Sequence, residues 1–197
     1  IVDLNNQISK DERQKMASES GFSEIVFIND IDKKSISIYS PQKEIPFAGH
    51  AVVGAAYFLN REYQIPIKEL VGIGGNIKTW QDEDFTWVQA VITSMPLWNY
   101  EQVLNPEAVE NLSLNQASTK EHTFVWAWVD EIKGIIRART FAQYWGIPED
   151  EANGSGCMKL AHSLNRELIV RHGKGSIIYS KPVNSTEVSV GGHVTMV

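Results

Sequence analysis

Glu24, His50 and Asp150 are the residues whose types and settings suit proton transfer, and the glycine turns near His50 and Asp150 suit anion binding. Glu24 opens an apolar run and shares a face with Val26 and Ile28, so its carboxylate points toward packed or cleft-lining surface, the setting of a general base. A solvated acid at a strand edge is the plainer reading of the same pattern. Gly49-His50 and Gly154-Ser155-Gly156 each open a small, apolar helical segment. The first turn of a helix leaves N–H groups without acceptors at the positive end of its dipole, and such ends take carboxylates or phosphates. Either turn alone reads as a plain tight turn, but the pair points to substrate binding by Gly49, Gly154 and Ser155. His50 suits donation to an anion or a proton shuttle, and a structural histidine equally. Asp150, between Glu149 and Glu151, caps the next helix or reaches a cleft, and Ser155 is an N-cap, a substrate donor or both. Cys157 reads as an inert helix residue in the core.

The elements that must position these residues recur in order. Ser9 and Glu12 form a capping box and Gly21 a stop, which predicts a helix over 10–20. Residues 24–28 and 35–40 read as strands around a polar turn at 29–34, a hairpin. A helix buried on nearly every side follows over 50–60, and strands lie near 77–80 and 86–92 around an acidic turn. About one hundred residues later the order returns, the scale at which a whole supersecondary unit is duplicated. Strands at 124–129 and 135–141, the turn at Gly154 with its helix, and strands at 176–180 and 186–190 match the first set. The organisation expected is a first half over 1–96, a linker over 97–122 with one short helix near 106–112, and a second half over 123–197. The active site is expected in the cleft between the halves.

Composition excludes several classes. With 197 residues, 43% hydrophobic and 21% charged, the chain is ordinary globular material. A net charge of −6 without any Lys/Arg run argues against nucleic acid or an anionic membrane as partner. No apolar run is long enough for a membrane span, and residues 1–11 do not read as a signal peptide. The single cysteine forbids an intrachain disulfide and fits a reducing compartment, so a soluble cytoplasmic protein is expected. The histidines show no HxxxH pairing, and no nucleotide-binding glycine motif or GxSxG elbow is present, so neither metal nor cofactor is expected.

The sequence resembles the phenazine-biosynthesis-like (PhzF-type) protein family, relatives of the diaminopimelate epimerases. The residues that carry the likeness are Phe22-Ser23-Glu24, Glu44-Ile45-Pro46-Phe47-Ala48-Gly49-His50, Arg139-Thr140-Phe141-Ala142, and Gly146-Ile147-Pro148-Glu149-Asp150 followed by Gly154-Ser155. Gly173-Lys174-Gly175 and Val190-Gly191-Gly192 add a weaker match. The resemblance implies an α+β, diaminopimelate-epimerase-like fold of two pseudo-symmetric halves, each a curled sheet around a central helix. It implies Glu24 as acid/base carboxylate, with His50, Asp150 and Ser155 as neighbours at the substrate and helix-start amides from Gly49 and Gly154. Three departures stand out: the family's additional N-terminal strand would precede Ile1, Glu151 replaces a usual Pro, and Asn153 replaces a usual Thr. The activity implied is an isomerase that transfers a proton between carbons of a small carboxylated metabolite. A binding protein that keeps the fold without catalysis, and an epimerase, are the alternatives. With one cysteine, a two-thiol epimerase mechanism is impossible within one subunit. The family likeness and six Trp in a small chain also suggest a homodimer.

Overall fold

The computed structural model describes residues 1–64, 66–113 and 122–196. The chain divides into two compact units, one of Ile1–Met95 with Gly191–Val197 and one of Pro96–Val190.

Unit 1 opens with Ile1 to Asp3 lying parallel to β1 (Ile25–Asp30): Ile28 N donates to the Ile1 carbonyl at 2.8 Å and Asp3 N to that of Ile28 at 2.9 Å. Helix α1 (Lys10–Glu19) begins at the capping box of Ser9 and Glu12 and rests its Ala17 on Phe27 and Tyr39. Arg13, 3% exposed, donates to Asp3 and Asn29, which ties α1 to the start of the chain and to β1. Strand β1 pairs antiparallel with β2 (Ser35–Tyr39), and β2 pairs antiparallel with the short β3 (Glu44–Ile45). Helix α2 (Gly49–Tyr63) follows, then β4 (Glu69–Gly72), parallel to β2, and the antiparallel succession β4, β5 (Gly75–Asp82), β6 (Phe85–Val91). No residue of α2 is exposed before Arg61, and Val52, Val53 and Leu59 are buried. Each such side chain contributes about 1.5–3 kcal/mol of apolar burial, which offsets the modest helix propensity of the valines and of Gly54.

Unit 2 repeats this plan element for element. Strand β7 (Asn99–Gln102) lies parallel to β8 (Thr123–Asp130), and the segment carrying α3 (Pro106–Glu110) packs Val103 and Leu112 on Val125 and Phe141. Strand β8 pairs antiparallel with β9 (Ile135–Ala142), and β9 with the short β10 (Ile147–Asp150). Helix α4 (Gly154–Leu164) leads to β11 (Leu168–His172), parallel to β9, and then to β12 (Ser176–Pro182), antiparallel to β11, and β13 (Glu187–Gly192).

The duplication reaches single atoms. In the first hairpin turn Asp30 accepts from Lys33 N at 2.9 Å and Lys34 N donates to the Ile31 carbonyl; in the second, Asp130 accepts from Lys133 N at 3.1 Å and Gly134 N donates to that of Glu131. Both turns end on a left-handed residue, Lys34 at φ 55° and Gly134 at φ 68°. The carbonyl of each then receives the incoming parallel strand, from Val71 N and Ile169 N.

The division differs from the sequence reading in two places. Residues 97–113 are the opening of unit 2, because their apolar side chains cover the β8–β9 hairpin as α1 covers β1–β2; the rest of the expected linker, 114–121, lies outside the described residues. The closing residues from Gly191 group with unit 1, where Gly191 approaches the Trp87 ring so closely that an added Cβ would lie 2.6 Å from it.

The paired turns yield a stability prediction. A Cβ at Gly134 would stand 2.5 Å from the Glu167 carbonyl at positive φ, so Gly134→Ala should cost about 2 kcal/mol or more. That lowers the thermal midpoint by roughly 4–8 °C, read by circular dichroism. Lys34→Gly, which relaxes the matching left-handed position, should change stability by less than about 1 kcal/mol. Equal effects of the two substitutions would show that the close approach at Gly134 is not a constraint.

Candidate active site

Glu24 immediately precedes β1, and the strand's pairing with β2 fixes where its side chain leaves the backbone. The Glu24 side chain is 8% exposed, and its Oε2 lies 2.8 Å from Nε2 of His50, itself 32% exposed on the first turn of α2. Ser23 Oγ is 3.2 Å from the same Nε2. Burial pushes the Glu24 carboxyl up, but the hydrogen bond and charge of His50, helped by Ser23, outweigh it and hold the group below its ordinary value. Glu24 is therefore an ionised, nearly dry carboxylate beside an imidazole. Helix α2 starts on the extended Ala48 with no side-chain cap, and Val52 N takes the Ala48 carbonyl. The N–H groups of Gly49, His50 and Ala51 thus have no acceptor within the helix. Structure brings Glu24, Gly49 and His50 together in unit 1, and it buries Glu24 where the sequence pattern favoured a solvated one.

Asp150, Gly154 and Ser155 come together in unit 2. Asp150 ends β10 and is 6% exposed; its Oδ1 accepts from Ala152 N at 2.9 Å. Asn153, the N-cap of α4, accepts at Oδ1 from Gly156 N at 2.7 Å, and its carbonyl accepts from Cys157 N. Ser155 Oγ is 3.0 Å from the Trp98 indole nitrogen. An indole only donates, so the Ser155 proton is directed elsewhere, to Asn153 Oδ1 at 3.2 Å. The Trp98 ring meets that of Trp145 edge-on at 5.3 Å, and His122 lies 3.7 Å from Trp145, so aromatic rings flank the start of α4. Cys157 is fully buried, and burial, followed by the Asp150 charge, pushes its thiol well above the ordinary range. A buried thiol of that kind is neutral and unreactive.

Sequence reasoning passed over Ser23 and Trp98 as partners of the site, and it passed over His172. The His172 ring is fully buried; Nδ1 lies 3.1 Å from the Glu151 carbonyl and Nε2 2.9 Å from Thr140 Oγ1. The carbonyl can only accept, so Nδ1 carries a proton, and Nε2 shares a hydrogen bond with the Thr140 hydroxyl. His172 thereby grips the segment that follows Asp150, and Gly173 completes the grip, since a Cβ there would meet the Glu151 carbonyl at 2.6 Å. The only signal in the sequence is a histidine preceding a glycine. A groove of about 610 Å³ in unit 2, lined by Arg137, Arg171, His172 and Lys174 among others, includes none of Glu24, Gly49, His50, Asp150, Gly154 and Ser155. Among the described residues no group of three or more His, Cys, Asp or Glu is placed to hold a metal ion, and no helix is long and apolar enough to cross a membrane.

Comparison with known proteins agrees with this architecture. An uncharacterized isomerase from Pasteurella multocida is 32% identical over 63 residues, a match that spans 30% of this chain and 22% of that protein's length. A phenazine biosynthesis protein of the PhzF family from Enterococcus faecalis superposes with a TM-score of 0.74 over 98% of this chain and 87% of its own, at 17% identity. A predicted epimerase from Pseudomonas aeruginosa superposes with a TM-score of 0.67 over 98% and 88%, also at 17% identity. At such identities the likeness establishes the α+β, epimerase-like fold. The family model for phenazine biosynthesis-like proteins, PhzC-PhzF, matches residues 1–129, which is more than half of the sequence. The chain therefore belongs to the phenazine biosynthesis-like protein family.

Proposed function

We propose that this protein is an isomerase that moves a proton between carbons of a small carboxylated metabolite, using only its own side chains and backbone, with Glu24 as the acid/base group. The observation that carries the reading is the nearly dry Glu24 carboxylate with His50 Nε2 at 2.8 Å. A carboxylate held ionised is ready to accept a proton but is a weak base. Its substrate must therefore be an activated carbon acid, with the C–H next to or conjugated with a carbonyl or carboxyl group. As the proton arrives, Glu24 becomes a neutral acid, the form that burial favours, while His50 stays beside the carboxyl. The first-turn N–H of Gly49, at the positive end of the α2 dipole, faces the charge that develops on the substrate oxygen. A positioned base contributes roughly 10²–10⁴-fold in rate and one oxyanion donor about 3 kcal/mol. In unit 2 the reading gives recognition of the substrate carboxylate to the start of α4 at Gly154 and Ser155, and a supporting polar role to Asp150.

The same carboxylate suffices for a shift on one face, since it can take a proton from one carbon and return it to the next. The epimerase alternative needs a second acid/base group on the opposite face, and the buried, neutral Cys157 is poorly suited to supply it. The isomerase reading is therefore preferred, and the lone thiol is assigned to packing.

Three outcomes follow. In a panel of small carboxylic acids incubated in heavy water, the wild-type protein should place deuterium in one of them, seen by proton NMR, and Glu24→Gln should slow that uptake by about 10²-fold or more. Undiminished uptake by the variant would reject Glu24 as the base. Cys157→Ala should keep the same activity within about tenfold; loss by several orders of magnitude with an intact circular dichroism spectrum would revive the epimerase reading. The third outcome concerns acid stability. Because the folded-state value of Glu24 lies below its ordinary 4.5, the stabilisation it contributes is complete above that pH and is lost as the pH falls through the lower value. Urea midpoints measured down this window should fall less steeply for Glu24→Gln than for wild type, and parallel curves would show that Glu24 is not held ionised by the fold.

A further inference from the structure

The first turn of α4 is held by one side chain whose two ends do different work. Asn153 is 2% exposed, and its Oδ1 accepts from Gly156 N and from the Ser155 hydroxyl. Turning the amide over would set its NH₂ against the Gly156 N–H, donor against donor, so Oδ1 is fixed toward the helix and Nδ2 occupies the other limb of the same amide at the helix mouth. Nδ2 is buried and has no hydrogen-bond partner among the described residues. Capping needs only the oxygen, and Ser, Thr or Asp would supply it. A buried donor with no acceptor is a standing cost to the folded state. Asn153 directly precedes Gly154 and Ser155, whose N–H groups have no acceptor within an α-helix and lie at the positive end of the dipole. All three are neutral donors, which suits the singly charged, acceptor-only oxygens of a carboxylate.

We infer that Asn153 is a recognition residue, whose Nδ2 donates to an oxygen of a bound carboxylate at the start of α4. The inference rests on the reading of that helix start as the carboxylate site, and it names the side chain that selects the ligand. The test is titration of wild-type, Asn153→Asp and Asn153→Ser proteins with sodium acetate at constant ionic strength, followed by ¹H–¹⁵N NMR. In wild type the side-chain NH₂ signals of Asn153 should shift with acetate and saturate together with the Gly154 and Ser155 amides. Asn153→Asp keeps the capping oxygen and replaces the donor by an acceptor, and acetate should bind at least tenfold more weakly. Asn153→Ser keeps a cap without the donor and should also bind about tenfold more weakly. Both variants should unfold at or above the wild-type temperature, which separates recognition from capping. Acetate affinity within twofold of wild type in either folded variant, an Asn153 signal that ignores acetate, or tighter binding of phosphate than of acetate would each overturn the inference. Deuterium uptake that depends on Glu24 is read independently, so the recognition residue and the proposed base can fail separately.

Discussion

A helix buried from its first residue must find acceptors for N–H groups that no turn of its own can satisfy, and this constraint organises both units. Helices α2 and α4 each follow a short strand after three intervening residues, at Gly49 and Gly154, with the first residue buried. The two solutions differ. Helix α2 has no side-chain cap and sets His50 beside a buried carboxylate, whereas α4 closes part of its first turn with Asn153 and leaves the amide nitrogen over. In both cases the helix start coincides with the residues suited to chemistry. The strands serve to hold these helix starts in place: the hairpin before each helix fixes where it enters, and the parallel strand after it fixes where it ends.

The energetic logic of Glu24 follows from the same constraint. Burial alone would favour the neutral carboxyl, and a neutral acid cannot begin a proton abstraction. The imidazole at the helix start reverses that preference, so the group is dry and ionised at once. Neither property alone is useful. A solvated carboxylate would be ionised but loosely oriented, and a buried one without His50 would hold its proton to higher pH.

Much of this was legible in the sequence because local signals agree with the fold. Ser9 and Glu12 announced α1, the alternation at 35–40 announced β2, and the small apolar run after Gly49 announced a buried helix. The opening of unit 2 was not legible, because β7 is a four-residue polar strand whose pairing with β8 is parallel and distant, and neither feature leaves a periodic trace. Strands β4 and β11 were missed for a similar reason: short strands that pair in parallel with a distant partner look like connectors. At the site, residue type pointed to Glu24 and His50, but whether Glu24 faces solvent depends on packing that alternation along one strand cannot specify. The grip of His172 on Glu151 and the aim of Trp98 at Ser155 are contacts between residues far apart in the chain, and no spacing rule anticipates them.

The account turns on His50 keeping a buried Glu24 ionised, and a residue-specific carboxyl titration by ¹³C NMR measures that directly. In the wild-type protein Glu24 should titrate below 4.5, and in a folded His50→Asn variant it should titrate above 4.5, because burial then acts unopposed. A carboxyl that titrates at its ordinary value in both proteins would be a solvated one, and would contradict the assignment of Glu24 as the acid/base group.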